Sequence, residues 1–464
     1  MKLNSLPFAF FLLVSMFLSS CLDTTSTTTV SSDATFVSLT FASNDSIPYL
    51  NTAKFTLDAS GDSIVNVDSL PYKTRIDSVN PTFSFKSSAG AKFYFKSGYK
   101  YKKDSAALTG KDTIDFRQRV RIRNYATDKV TYKDYWVKVN VHKVDPELYI
   151  WSQIQTSMNS VQATSQKSVI FNNTFFYYQN DGTNAYLNKS TDGYHWSSAT
   201  VSGLPTGTPL NDMIQFNSKL FVSKDGIYLY SSLNGVDWMK TIPAKNVNFT
   251  FKSLLFVLNN QLWATVQADD ASYHFAISND GDNWNMTIGT LPDNFPVSDF
   301  ASVNLATITG KSKVVVLGGI STTGNPLINN WSSEDGVYWV DFSTENHTLD
   351  TLATGASLIW YDSKLLVFGA RTDNAKSFYK VSVDEGLSWK IPDTLRNQLK
   401  QSFTSKVPGT TRDTITYTYQ QARSYQSVVV DNNNRIFIVG GKSGTTTFSD
   451  VWTGMLNRKK FAIQ

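Results

Sequence analysis

Cysteine occurs once in these 464 residues, at Cys21, and histidine four times, at His142, His195, His274 and His347. A single cysteine excludes a disulfide framework, and four scattered histidines offer no metal-ligand spacing. No arginine lies between Trp151 and Ala370. Most of the chain therefore cannot supply the guanidinium cluster that grips a carboxylate bidentately. Gly-x-Ser-x-Gly, Walker and His-Glu-x-x-His patterns are also missing. Beyond the first twenty residues, no run approaches the ~18 consecutive apolar positions needed to cross a bilayer. No metal or cofactor is expected.

What is present begins with a compartment signal. Lys2 precedes an apolar run from Leu6 to Leu18, broken only by Ser15. A charged start and a short apolar core make a secretory signal. The run ends in Leu18-Ser19-Ser20-Cys21, which resembles a bacterial lipobox, and the resemblance implies acylation of Cys21 as the first residue of the mature chain. Residues 1–21 are read as the signal and 22–32 as a polar flexible tether. Leu22 follows the cysteine, so the best-known inner-membrane retention signal, an aspartate, is missing. The expectation is an outer-membrane lipoprotein of the cell surface or periplasmic face, joined to the membrane by its lipid.

Charge is uneven. Residues 22–146 hold 18 Lys and Arg against 13 Asp and Glu, whereas residues 147–464 hold 24 against 25. For an exported chain no nucleic-acid partner is expected, and the N-terminal surplus reads as surface or membrane-proximal charge.

Residues 33–146 alternate apolar and polar positions in short runs, such as Phe36–Phe41, Arg119–Arg123 and Trp136–Val141. Period two with one apolar face predicts half-buried antiparallel strands, and about seven of them fit an Ig-like β-sandwich without its disulfide. The basic alternation Arg117, Arg119, Arg121, Arg123 is expected on the outward face of an edge strand, where like charges discourage aggregation. The competing reading is an anion-binding strip for acidic glycan or lipid headgroups.

Residues 147–464 repeat. Glycine followed three residues later by tryptophan occurs at Gly193/Trp196, Gly235/Trp238, Gly281/Trp284, Gly336/Trp339 and Gly386/Trp389, with steps of 42, 46, 55 and 50 residues. Upstream of each, two apolar runs flank a tight Asn-, Asp- or Gly-containing turn, which is a hairpin signal. Four strands in about 45 residues is a propeller blade. Six hairpins predict six blades, with the segment Glu147–Gln153 closing the last.

Ala422–Gly441 with Asp450-Val451-Trp452 resembles a kelch repeat, and Val314–Gly319 with Asn330-Trp331 is a second, weaker match. Ser382–Trp389 is similar to the Asp-box of sialidases. The whole layout resembles an uncharacterised family of Bacteroidota surface lipoproteins. That resemblance implies an N-terminal Ig-like domain and a C-terminal kelch/galactose-oxidase-like six-bladed β-propeller. It supplies fold and location, and no activity. A galactose-oxidase copper site would need a second cysteine, and a sialidase site would need the missing arginines.

Ligands of propellers sit at the mouth of the central channel, built by the loops that enter the inner strands. Asp212, Asp299 and Arg423 precede inner strands, while Arg371 and Asp373 follow the fifth blade's second strand. These five are the expected ligand-binding residues. The 392–421 insertion is long enough to cover the mouth or offer a partner surface. The expected function is non-enzymatic recognition of a glycan or protein by the propeller's loop face. The alternative is glycan cleavage by the channel-mouth carboxylates.

Overall fold

The computed structural model describes residues 30–461, apart from 48, 95–104, 144, 242–247, 308, 344–348, 350–352, 371–376, 392–402, 407–413 and 418–422. The chain forms two units, Met1–Asp145 and Pro146–Gln464. Both are built of strands. Among the described residues no helix is long and apolar enough to cross a membrane.

Among the described residues the first unit holds eight strands: β1 Phe36–Phe41, β2 Phe55–Leu57, β3 Ser63–Asn66, β4 Pro81–Phe85, β5 Gly90–Tyr94, β6 Ser105–Ala107, β7 Val120–Tyr125 and β8 Tyr132–Lys138. β1 pairs with β4, and the other six form one sheet in the order β2-β3-β8-β7-β5-β6. All the pairings are antiparallel except β3 with β8. Alternation along β7 (Val120, Ile122, Asn124 inward) and β8 (Tyr135, Val137 inward) faces the core, where Phe36, Leu39, Phe41, Ile64, Phe93 and Ile122 meet.

The arginine-rich strand is not an edge. β7 lies between β8 and β5, in the interior of the sheet. Its alternation is set by the apolar partners on the other face, so edge protection is not what the arginines provide.

The second unit is a ring of six sheets. Blades one to four span 165–199, 214–241, 249–290 and 301–341, each with four strands in sequence order. Blade five (357–382) has three strands, extended by an isolated bridge from Val381 to Lys390. Blade six takes three strands from 427–456 and its outermost from β9, Tyr149–Gln155, which pairs antiparallel with Thr446–Leu456. A separate hairpin pairs Phe403–Lys406 with Thr414–Tyr417, inside the long insertion.

Turn chemistry explains the first hairpin of four blades. Asn172-Asn173, Asn217-Ser218, Asn259-Asn260 and Asp362-Ser363 all hold positive φ at both central positions. That is the mirror-image turn whose twist matches its flanking strands, and Asn and Asp tolerate it.

The repeated glycine-tryptophan turns join third and fourth strands. In blade three the Ser278 hydroxyl accepts the Gly281 amide at 2.8 Å, and Asp280 Oδ1 accepts the amides of Asp282 and Asn283 at 2.9 and 2.7 Å. Trp284 Nε1 donates back to the Gly281 carbonyl at 3.1 Å. Blades one and four repeat this pattern around Asp192 and Asp335. In blade two Asn234 takes the aspartate's place at the turn amides, and Trp238 Nε1 makes no hydrogen bond. Each turn also seats on the preceding blade. Gly193 lies against Phe437 of blade six, Gly235 against Phe176 of blade one, Gly281 against Phe221 and Gly336 against Trp263.

At Gly235, φ is +74°, and an added Cβ would lie 2.6 Å from Phe176 Cε1. Gly235→Ala therefore combines left-handed backbone strain with overpacking, and is expected to destabilise the protein by about 2 kcal/mol or more. Urea unfolding with an unchanged midpoint would contradict this seating of blade two on blade one.

Candidate functional site

The inner strands of the six blades are Ser165–Phe171, Ile214–Phe216, Phe249–Leu258, Ala301–Ala306, Ser357–Tyr361 and Ser427–Val430. They surround a cavity of about 490 Å³ that runs along the channel. Among the described residues its charged lining is Lys167, Asp212 and Asp299; Lys167 lies within the first blade's inner strand, and the two aspartates lie two residues before theirs.

Hydrogen bonds pass from blade to blade around this mouth. Tyr425 N donates to the Gly355 carbonyl at 2.6 Å, and Gly355 N to the Asp299 carbonyl at 2.8 Å. These three residues enter blades four, five and six, and all hold positive φ, between 53° and 66°. Asn211 Nδ2 donates to Asp299 Oδ1 at 3.1 Å, linking blade two to blade four. Lys167 Nζ donates to the Asn211 carbonyl at 3.0 Å, linking blade one to blade two. Tyr425 and Asp299 are non-glycine residues held in a left-handed conformation, a strain that concentrates at ligand clamps.

Asp212 sits deeper in the wall. Its Oδ2 accepts the Ser223 hydroxyl at 2.8 Å and the Leu254 amide at 3.2 Å, so it ties blade two to blade three. Its Oδ1 is buried and makes no hydrogen bond. Burial raises the Asp212 carboxyl above the usual range, although those donors and the Lys167 charge oppose it. Burial likewise lowers the Lys167 ammonium, against the pull of Asp212. Burial raises the Tyr425 phenol, and neighbouring Asp299 adds to the shift.

Of the expected site residues, Asp212 and Asp299 are brought to one cavity. Arg423 is placed otherwise. It is 3% exposed, and its Nη1 and Nη2 donate to Asp450 Oδ1 and Oδ2 at 2.6 and 2.9 Å. The guanidinium lies 4.0 Å from the Phe448 ring centroid, and Asp450 also accepts Trp452 Nε1 at 2.9 Å. Arg423 thus joins the start of blade six to its third strand, because a buried guanidinium must find a planar anionic partner. Arg371, Asp373 and Cys21 lie outside the described residues. The sequence reading missed Lys167, Asn211 and Tyr425. A lysine inside the alternating run Ser165–Phe171 was the available signal for the first.

His195 and His274 serve their own blades. His195 N and Nδ1 meet Asp192 in the first glycine-tryptophan turn, and His274 lies between Ser272 and the Gly289 carbonyl. Among the described residues no three His, Cys, Asp or Glu side chains form a metal-binding group.

The second unit is a β-propeller. The chain belongs to the DUF6242 family: the description "DUF6242 beta propeller domain" matches residues 145–464, and that of the family's N-terminal domain, a domain of unknown function, matches residues 20–139. No curated protein matches it. Among solved structures, one described as the structure of YjhT aligns with TM-score 0.44 and 13% identity, over 64% of this chain and 95% of that one. A protein of unknown function from Dyadobacter fermentans aligns with TM-score 0.41 and 12% identity, over 66% and 99%. A Trypanosoma rangeli sialidase, in complex with 2,3-difluorosialic acid as a covalent intermediate, gives TM-score 0.41 and 12% identity over 68% and 59%.

Removing the Arg423 guanidinium would leave Asp450 buried without its counter-charge. Arg423→Ala is expected to cost about 3–5 kcal/mol of stability. Calorimetry showing a wild-type unfolding midpoint would contradict a structural role for the pair.

Proposed function

We propose that this protein is a lipid-anchored, exported binding protein whose kelch-like propeller takes a hydroxylated ligand, a glycan unit, at the channel mouth. One observation carries the reading: Lys167, Asn211 and Asp299, from blades one, two and four, converge with Asp212 on a cavity of about 490 Å³. That volume falls in the range of small-molecule sites. An ammonium donor, an amide and a carboxylate acceptor side by side suit vicinal hydroxyls, which donate and accept at once. A purely anionic ligand would meet two carboxylates against one ammonium. The first unit is read as an Ig-like domain.

The test uses the full chain with Cys21→Ser, applied to an array of neutral and acidic oligosaccharides. Binding is expected, and Asp299→Asn or Lys167→Met should weaken it about tenfold, the scale of one charged hydrogen bond. An array without any hit would sink the proposal.

A second reading, glycan cleavage, is favoured by one feature. Asp212 has the raised carboxyl that a general acid needs, and it shares the cavity with Asp299. Oligosaccharide hydrolysis that Asp212→Asn abolishes, with binding kept, would replace the first reading by this one.

Anchoring rests on the Leu18-Ser19-Ser20-Cys21 segment at the end of the apolar run. In cells fed labelled palmitate, the wild-type chain is expected to take up label and fractionate with membranes. Label on Cys21→Ser would rule out acylation at this residue.

A further inference from the structure

The outward face of the six-stranded sheet in the first unit holds five cations and one carboxylate on its central strands. Lys92 and Tyr94 come from β5, Arg119, Arg121, Arg123 and Tyr125 from β7 and the residue preceding it, and Tyr132, Asp134, Trp136 and Lys138 from β8. The register puts Arg121 between Tyr94 and Trp136, and Arg123 between Lys92 and Asp134. This one face carries most of the basic surplus of the chain, whose formal net charge is +5.

The side chains lie flat. Arg121 is 4.3 Å from the Tyr94 ring centroid, and Arg123 is 3.9 Å from that of Tyr132. Arg119 is 5.7 Å from the Trp136 ring, and its Nη2 donates to the Ser63 hydroxyl at 3.0 Å. Asp134 accepts Arg123 through both oxygens at 2.8 Å and lies 3.6 Å from Arg121. One carboxylate thus holds two of the guanidiniums in place, and charge of one sign remains. Nothing about strand pairing asks for it, because β7 is interior to the sheet and has no free edge to protect.

From this arrangement we propose that the face is a binding platform for an acidic polysaccharide, a linear chain bearing repeated carboxylates or sulfates. Three features select that partner. Arginines on alternate residues of one strand stand about 7 Å apart in a straight row, which suits a linear polyanion. Their planar N–H forks match carboxylate and sulfate oxygens two at a time. Guanidiniums already lie over the Tyr94 and Tyr132 rings, so a nucleic-acid base stacking there would have to displace a cation. The platform is independent of the channel site: either could fail without the other.

The test is calorimetric titration of the full Cys21→Ser chain with polygalacturonate at low ionic strength, beside single-stranded DNA and phosphatidylglycerol vesicles. Salt-sensitive binding to polygalacturonate is expected. The triple variant Lys92→Gln, Arg119→Gln, Lys138→Gln removes three exposed charges and should weaken it about tenfold or more, with unfolding unchanged. Should the triple variant fail to fold, Lys92→Gln with Lys138→Gln is expected to lose about threefold. The proposal is overturned by no binding to polygalacturonate, by folded variants with wild-type affinity, or by tighter binding to the DNA or the vesicles.

Discussion

Every blade of the propeller depends on one pairing between distant parts of the chain. β9, at residues 149–155, forms the outermost strand of a blade whose other strands lie at 427–456. Six sheets packed in a circle have two free ends until this strand is added. The pairing is deeply set: Trp151 lies against Gly454, and Trp452, Ile438, Phe368 and Tyr149 share one cluster. Non-local closure of this kind carries a loop entropy that grows only slowly with the intervening length. A ring of some 300 residues can therefore be held by about six paired positions, provided that each blade also grips its neighbour.

That grip is repeated rather than improvised. The glycine-tryptophan turn satisfies its own amides with Ser and Asp side chains, and its glycine approaches an aromatic of the preceding blade. The tryptophans follow suit: Trp238 packs edge-on to Tyr178 at 5.9 Å, and Trp339 stacks on Phe275 at 5.5 Å. Recurrent outer locks leave the inner strand entries free to differ. Lys167, Asp212, Asp299 and Gly355 occupy the entries of four different blades, which is why polarity gathers at the channel mouth.

Much of the scaffold could be read directly from residue order. Strand alternation, Asn-rich hairpin turns and the spaced glycine-tryptophan pairs are local signals, each fixed by backbone geometry within a few residues. The site was legible only in part. That Asp212 and Asp299 would line one channel cavity could be anticipated, because a charged residue before an inner strand has few places to go. Lys167 was missed because one lysine within an alternating strand looks like any solvent-facing position. Arg423 was misjudged for a related reason: its partner, Asp450, lies 27 residues away, and no local pattern links them. The arginine row of the first unit gave its alternation but not its rank in the sheet, since strand order is decided by long-range pairing.

By itself the sequence determined the kinds of element and their repeat, since turn conformation and strand period depend on neighbours along the chain. It also determined where arginine can come from, since none lies between Trp151 and Ala370 in any fold. Tertiary structure alone decided which charges are spent on each other and which remain. Arg423 became a buried tie and Lys167 a channel-lining donor. A central strand came to present a basic face. Each of these outcomes follows from desolvation and from the partner that packing supplies, and neither is a property of the residue alone.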